Sequence, residues 1–279
     1  MSLDIGSAAS RAIEAYREQA APQPTDAKAA TAPACGCSPE ANPGYPAKPP
    51  TDPGAGVHGS QPWYARGDDL AFEQIASAAS SAADALGYTN AARHLDHYLG
   101  NSGEDLTVDP ARITRDVPQF SQSVQQQLDA QVNAVIEQAV ADGCYGEPIA
   151  FDSGWQGFYI DKDMNADWFY AMGGIQHSVT GTVVVQPGDP PTAEVSYQVH
   201  VFDRYNWDGG KATTIGPVTI TDQQMGELHT AGLAQEYDIV GSTGETTYTA
   251  TYDPAGGSTG NPGIPEAGDR DGERSDPGR

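Results

Sequence analysis

The chain has 279 residues and a formal net charge of −24, with 38 Asp and Glu against 14 Lys and Arg. A surface of that sign repels phosphate backbones and anionic lipid, which argues against a nucleic-acid partner and against membrane binding through a basic patch. There is no run of about 18 apolar residues, so no integral membrane segment is expected.

Composition divides the chain. Ten prolines fall between Pro22 and Pro62, and after Asp253 the chain is dominated by Gly, Pro, Asp, Glu, Arg and Ser. Such stretches carry too little apolar surface to offset the entropy of ordering. The expected organisation is a short helix at 1–21, a disordered Pro-rich linker at 22–62, a single α+β domain at 63–252 and a disordered acidic tail at 253–279. Leu3, Ile5, Ala9, Ile13 and Tyr16 form the apolar stripe of the first helix. Met1 to Ala21 has neither the basic start nor the apolar core of a signal peptide. The protein is therefore expected to be cytoplasmic when made, with any export by a non-classical route. Cys35-Gly36-Cys37 is two ligands short of a zinc site, Cys144 reads as a buried thiol, and three cysteines make no disulfide framework.

Asp69 to Leu86 has helical periodicity, with Asp68 or Asp69 as its cap and Gly87 as its end. Asn90 to Leu99 is a second helix. Leu106 to Val108 is extended, and Asp109-Pro110 restarts the chain as an N-cap with Pro at the first helical position. Val117-Pro118 breaks that helix. Phe120 to Ala141 is the longest one, with Phe120, Val124, Leu128, Val132, Val135, Ile136 and Val140 on one face.

The period then changes. Glu147 to Ile160 suggests short strands, and Asp167 to Met172 fits a strand or a helical turn. From Ile175, alternating Val179, Gly181, Val183 and Val185 lead into the turn Pro187 to Pro191. A returning strand, Glu194 to Phe202, follows. Ile215 to Ile220 is another strand, Thr221 caps a helix running to about Gly232, and Ala234 to Val240 and Thr246 to Tyr252 are the last strands. Helices followed by strands give an α+β class: an N-terminal helical half, then an antiparallel β-rich half.

His94 and His97 lie three apart on a helix, which could start a metal site or simply favour the helix C-terminus. Asp161, Asp163 and Asp167 form an acidic turn that lacks the glycine and terminal Glu of a calcium loop. The densest stretch is Asp203-Arg204-Tyr205-Asn206-Trp207-Asp208-Gly209-Gly210-Lys211, at the end of a strand. Asp203 and Asp208 could hold Mg²⁺ through oxygen. Tyr205 and Asn206 could donate to a phosphate oxygen, and Lys211 could add positive charge. Asp203 and Tyr205 should share a face if the strand continues through Arg204. The same residues would also make a plain hairpin corner, with Trp207 packing inward.

This order of signals resembles that of colicin M-type bacteriocin domains. They have a Gly-containing hairpin, here Gly174 to Val201, and an Asp-x-Tyr-Asp motif at a strand end, here Asp203 to Asn206. They also have a late strand, here Glu236 to Gly241. The resemblance implies a toxin-like, Mg²⁺-dependent hydrolase of the polyprenyl-diphosphate cell-wall precursor lipid II, with an immunity or delivery protein as a partner. Asp203 and Tyr205 match the family pattern, Asn206 replaces its second Asp, and Lys211 or His229 would have to stand in for a His-Arg pair. The competing expectation is a non-enzymatic β-rich binding or structural module.

Overall fold

The computed structural model describes residues 38–207, 212–215 and 218–263, with side chains described for 38–207 and 220–263. Asp208 and Lys211 lie outside the described residues, as do residues 1–37, Cys35 and Cys37 included.

Among the described residues, six α-helices precede or interrupt ten strands in an α+β arrangement. The helices are α1 (Gly67–Ala85), α2 (Thr89–Leu99), α3 (Pro110–Asp116), α4 (Pro118–Asp142), α5 (Ala166–Ala171) and α6 (Asp222–Ala231). The strands are β1 (Leu106–Thr107), β2 (Pro148–Asp152), β3 (Gln156–Tyr159), β4 (Gly174–Gln186) and β5 (Thr192–Tyr205). They continue with β6 (Ala212–Ile215), β7 (Val218–Thr221), β8 (Tyr237–Ser242), β9 (Thr246–Asp253) and β10 (Gly257–Gly260).

Local chemistry sets many of the ends. Asp109 Oδ1 accepts from Ala111 N at 2.9 Å, with Pro110 at the first helical position. Thr221 and Gln224 form a reciprocal capping box on α6. Asn165 caps α5, accepting from Trp168 N, which settles Asp167 to Met172 as helical. The acidic turn is structural: Asp161 accepts from Asp163 N and Met164 N. Asp167 accepts from Asn90 N and Ala91 N at the start of α2. His94 and His97 part ways, His94 buried and His97 bonded to the Glu104 carbonyl.

The spine of the sheet is the long β4–β5 hairpin, with Val179 opposite Val199 and Val183 opposite Val195. β2 and β3 pair along the outer side of β4. β8 and β9 divide the outer side of β5, taking its C-terminal and N-terminal halves respectively. The sheet is mixed rather than wholly antiparallel, because β1 joins β8 in parallel. Gly181 is required by packing: a Cβ there would overlap the Ser196 carbonyl and the Phe151 ring. One face carries Val179, Val183, Val185, Val195, Val199 and Val201, all buried against α4 and its neighbours. Of the α4 face expected from periodicity, Phe120, Val124, Leu128, Val132, Val135 and Ile136 are buried, while Val140 is exposed.

The other sheet face is covered by chain expected to be linker. From Ser38 onward the Pro-rich segment is laid across the sheet as a strap. Glu40 N bonds to the Pro148 carbonyl, and Asn42 accepts from Thr180 Oγ1. Tyr45 donates to the Val201 carbonyl at 3.0 Å, and Trp155 Nε1 donates to the Ala47 carbonyl. Farther on, Gly59 N and Gln61 N bond to carbonyls of α6. Proline suits such a strap, since it presets an extended backbone and removes a donor that would need a partner. Beneath it, Ser178, Thr180, His200 and Phe202 are buried on what would otherwise be an open face. The ordered β structure also continues past Tyr252, because β10 pairs with β9. Cys144, buried as expected, is disulfide-bonded, which the count of three cysteines had not suggested.

Candidate functional site at the end of β5

β5 runs unbroken through Asp203, Arg204 and Tyr205, paired in register with Ile239, Asp238 and Tyr237 of β8. Asp203 and Tyr205 therefore share a face, and it is the helix-covered one. Tyr205 stacks on Tyr237 with centroids 5.0 Å apart, and Tyr98 and His94 of α2 and Trp207 close around it. Tyr98 donates to the Met225 carbonyl and Tyr237 to the His94 carbonyl, so both phenols of the surrounding cluster are satisfied in the core. Burial pushes the Tyr205 phenol well up, and the nearby Asp203 adds to this. Burial holds the His94 ring down at about 3, so it is neutral.

Asp203 keeps a partly exposed surface, yet its carboxyl is densely surrounded. Desolvation raises its pKa well above the usual range. The backbone N–H of Arg204, 2.8 Å from Oδ1, opposes the shift, while Asp52 and Asp238 reinforce it. The carboxyl is thus disposed to hold a proton.

Arg204 faces the opposite way, onto the strap side. Its Nη1 donates to Asp238 Oδ1 at 2.9 Å, and Lys48 of the strap bridges Asp238 Oδ2 and Asp105 Oδ2 at 3.0 and 2.6 Å. Lys48 and Arg204 together hold the Asp238 carboxyl below the ordinary range against desolvation. The strap then rounds the end of β5. Asn206 Nδ2 bonds to Asp52 Oδ1. Buried Glu236 accepts from Ala55 N at 2.9 Å and from Trp207 N at 3.0 Å with one oxygen. Gly54, at φ +56°, lies against that carboxylate so closely that a Cβ would overlap it. His229 completes the clasp, accepting from Glu236 N and donating to the Gly56 carbonyl.

The structure thus brings Asp203, Tyr205 and Asn206 together at one strand end, with Tyr205 packed into the aromatic core and Asn206 tied to the strap. The sequence-predicted partners Asp208 and Lys211 lie outside the described residues. Sequence reasoning passed over Glu236, Asp238, Asp52 and Lys48. Glu236 and Asp238 stand in the late strand already singled out, but Asp52 and Lys48 sit in the Pro-rich stretch dismissed on composition. Among the described residues, no group of three His, Cys, Asp or Glu is placed to hold a metal ion, and no helix is long and apolar enough to cross a membrane.

No family model matches the chain, and neither a curated protein nor a solved structure does. By its architecture the described chain is an α+β domain with a mixed sheet, helices on one face and an extended strap on the other.

Proposed function

We propose that the chain is a toxin-like hydrolase whose site is the end of β5, and that its substrate is a lipid-linked diphosphate of the lipid II type. Asp203 serves as its general acid. The observation that carries this reading is the Asp203 carboxyl: it is held toward its protonated form at the end of β5, just ahead of Gly209 and Gly210 in the sequence. Strongly shifted titratable groups at such positions are functional-site candidates. Cleaving a prenyl–diphosphate bond expels a strongly basic alkoxide, which benefits from a positioned proton donor. Water forms the new bond to phosphorus, the bond from phosphorus to the prenyl oxygen breaks, and the Asp203 proton goes to that oxygen. The proton lost by water returns through solvent to Asp203.

The general-acid role and the magnesium-binding role expected of Asp203 alongside Asp208 need opposite protonation states of one carboxyl, and the proposed hydrolase uses the first. Tyr205, stacked in the core, positions Asp203 rather than reaching a phosphate oxygen, and Asn206 secures the strap.

A second reading, a non-enzymatic binding or structural module, is favoured by the clasp itself. Glu236 joins Ala55 to Trp207, which gives the motif's neighbours a purely architectural role. Purified lipid II, incubated with wild type and with Asp203→Asn in magnesium and in chelator, separates the two. Hydrolysis by wild type, reduced a hundredfold or more in the folded variant, supports the enzyme. No hydrolysis by folded wild type at any magnesium concentration leaves the structural module.

A further inference from the structure

The strap is held in the manner of a peptide ligand. Pro43, Pro46 and Pro49 recur at the three-residue period of a polyproline II helix. The Tyr45 ring lies edge-on to Trp155 and to His200, with centroids 5.5 and 5.4 Å away. Trp155 Nε1 donates to the Ala47 carbonyl at 2.8 Å. Lys48 then closes on Asp105 and Asp238 at 2.6 and 3.0 Å. An aromatic-lined groove that reads an extended Pro-rich segment is a recurring mode of peptide recognition. Here Trp155, His200 and Phe202 supply the rings, and Asp105 and Asp238 supply charge for a flanking cation.

Two observations mark this segment as exchangeable. The first is the face beneath it. Ser178, Thr180 and His200 are buried there, with Gln198 and Asp152 bonded at its edges. A face under permanent cover is most stable when apolar, whereas these side chains can hand their hydrogen bonds to water when the strap lifts. The second is the grip on the strap. None of the described core residues comes from 38–62. From Glu40 to Pro50 the hold is hydrogen bonds and ring contacts. Its ion pair is open to solvent, with Lys48 and Asp105 41% and 46% exposed, so it is screened and weak. The clasp of Ala55 on buried Glu236 begins only farther on, so residues 40–50 can leave without breaking it. A second copy of the chain is a poor competitor. Its strap offers the same contacts and lacks the millimolar effective concentration that tethering gives the strap in cis. The occupant that fits is an extended segment of a different protein with the order Tyr-Pro-x-Lys-Pro, its lysine matched to the acidic rim.

We infer that this sheet face is a recognition groove for an extended Pro-rich segment of another protein, filled in cis by residues 40–50. Fluorescence anisotropy of the full-length chain tests this, with a labelled peptide of residues 40–50 as the probe. Tyr45→Ala with Lys48→Ala weakens the competing strap and leaves the groove intact. The double variant should therefore bind the probe at least tenfold more tightly than wild type. Adding Trp155→Phe, which removes the Nε1 donor and keeps a ring, should weaken that binding at least tenfold. Tyr45→Ala in the probe should do the same. No binding by the folded double variant would overturn the inference, as would binding indifferent to both changes. Nitrogen-15 NMR of wild type decides the matter even where the double variant does not fold. As unlabelled probe reaches the millimolar range, where it rivals the tethered strap, the amide signals of Tyr45, Ala47 and Lys48 should move to unstructured positions while those of β4 and β5 hold. Strap signals that stay in place would overturn the inference. A concentration-dependent dimer of wild type, dispersed by the double substitution, would give the groove to a second copy and overturn it as well.

Discussion

Replacing Asp203 by Asn keeps the shape of the side chain and an oxygen to accept the Arg204 N–H, but removes the ionisable carboxyl. An unfolded aspartic acid titrates near 3.9, and burial with Asp52 and Asp238 nearby raises Asp203 well above that in the folded protein. The sign follows from linkage. Below the unfolded value both states are protonated and the group costs nothing. Above it the unfolded state ionises while the folded state resists, so stability falls as pH rises through the folded value. Each pH unit separating the two titrations costs about 1.4 kcal/mol. A single unit corresponds to ~3–6 °C in melting temperature for a domain of roughly 150–250 residues. Asp203→Asn should therefore melt higher than wild type at pH 7.5, with the gap shrinking towards zero near pH 4. Thermal melts of both proteins across that range check it. A variant less stable than wild type at pH 7.5, or a gap independent of pH, would refute the reasoning.

Leu128→Ala removes a side chain that is 1% exposed on the core face of α4 and should cost about 2–5 kcal/mol in a denaturant titration. Glu236→Ala removes the shared acceptor of the part-buried amides of Ala55 and Trp207. Because solvent reaches both amides in part, a loss of about 1–3 kcal/mol in total is expected, with faster amide exchange through residues 52–59 as the local signature. Thr221→Ala breaks the capping box of α6 and should cost about 1 kcal/mol, read from the shift in the urea midpoint.

The elements with strong local signals were legible in the sequence. The Asp109-Pro110 cap, the Val117-Pro118 break and the Val-rich hairpin all rest on contacts between near neighbours, and all stand where the pattern puts them. The co-facing of Asp203 and Tyr205 also followed from strand alternation alone. Which face they share did not. That depends on helix α2 folding over the strand end, and hydrophobic periodicity around Tyr205 does not report it. The strap was the larger miss. Its order comes from polar anchors such as Glu40, Asn42, Tyr45 and Lys48, bonded to residues more than 50 positions away. Composition weighs apolar surface and cannot register that kind of long-range hydrogen bonding. Small elements were misjudged for a similar reason: β10 is Gly-Ser-Thr-Gly, with no side-chain pattern, and is held by its backbone ladder to β9. The disulfide at Cys144 needed a spatial neighbour that spacing alone could not name.

The general-acid role and the pH-dependent stability both turn on the protonation state of one side chain, which carbon-13 NMR of the Asp203 carboxyl in the folded protein reads directly. Assigned by comparison with Asp203→Asn, its resonance should remain that of a neutral carboxylic acid through the ordinary Asp range and titrate only at higher pH. A carboxyl that ionises near 3.9, as an unperturbed aspartate does, would contradict both the general-acid role and the pH-dependent stability argued from its burial.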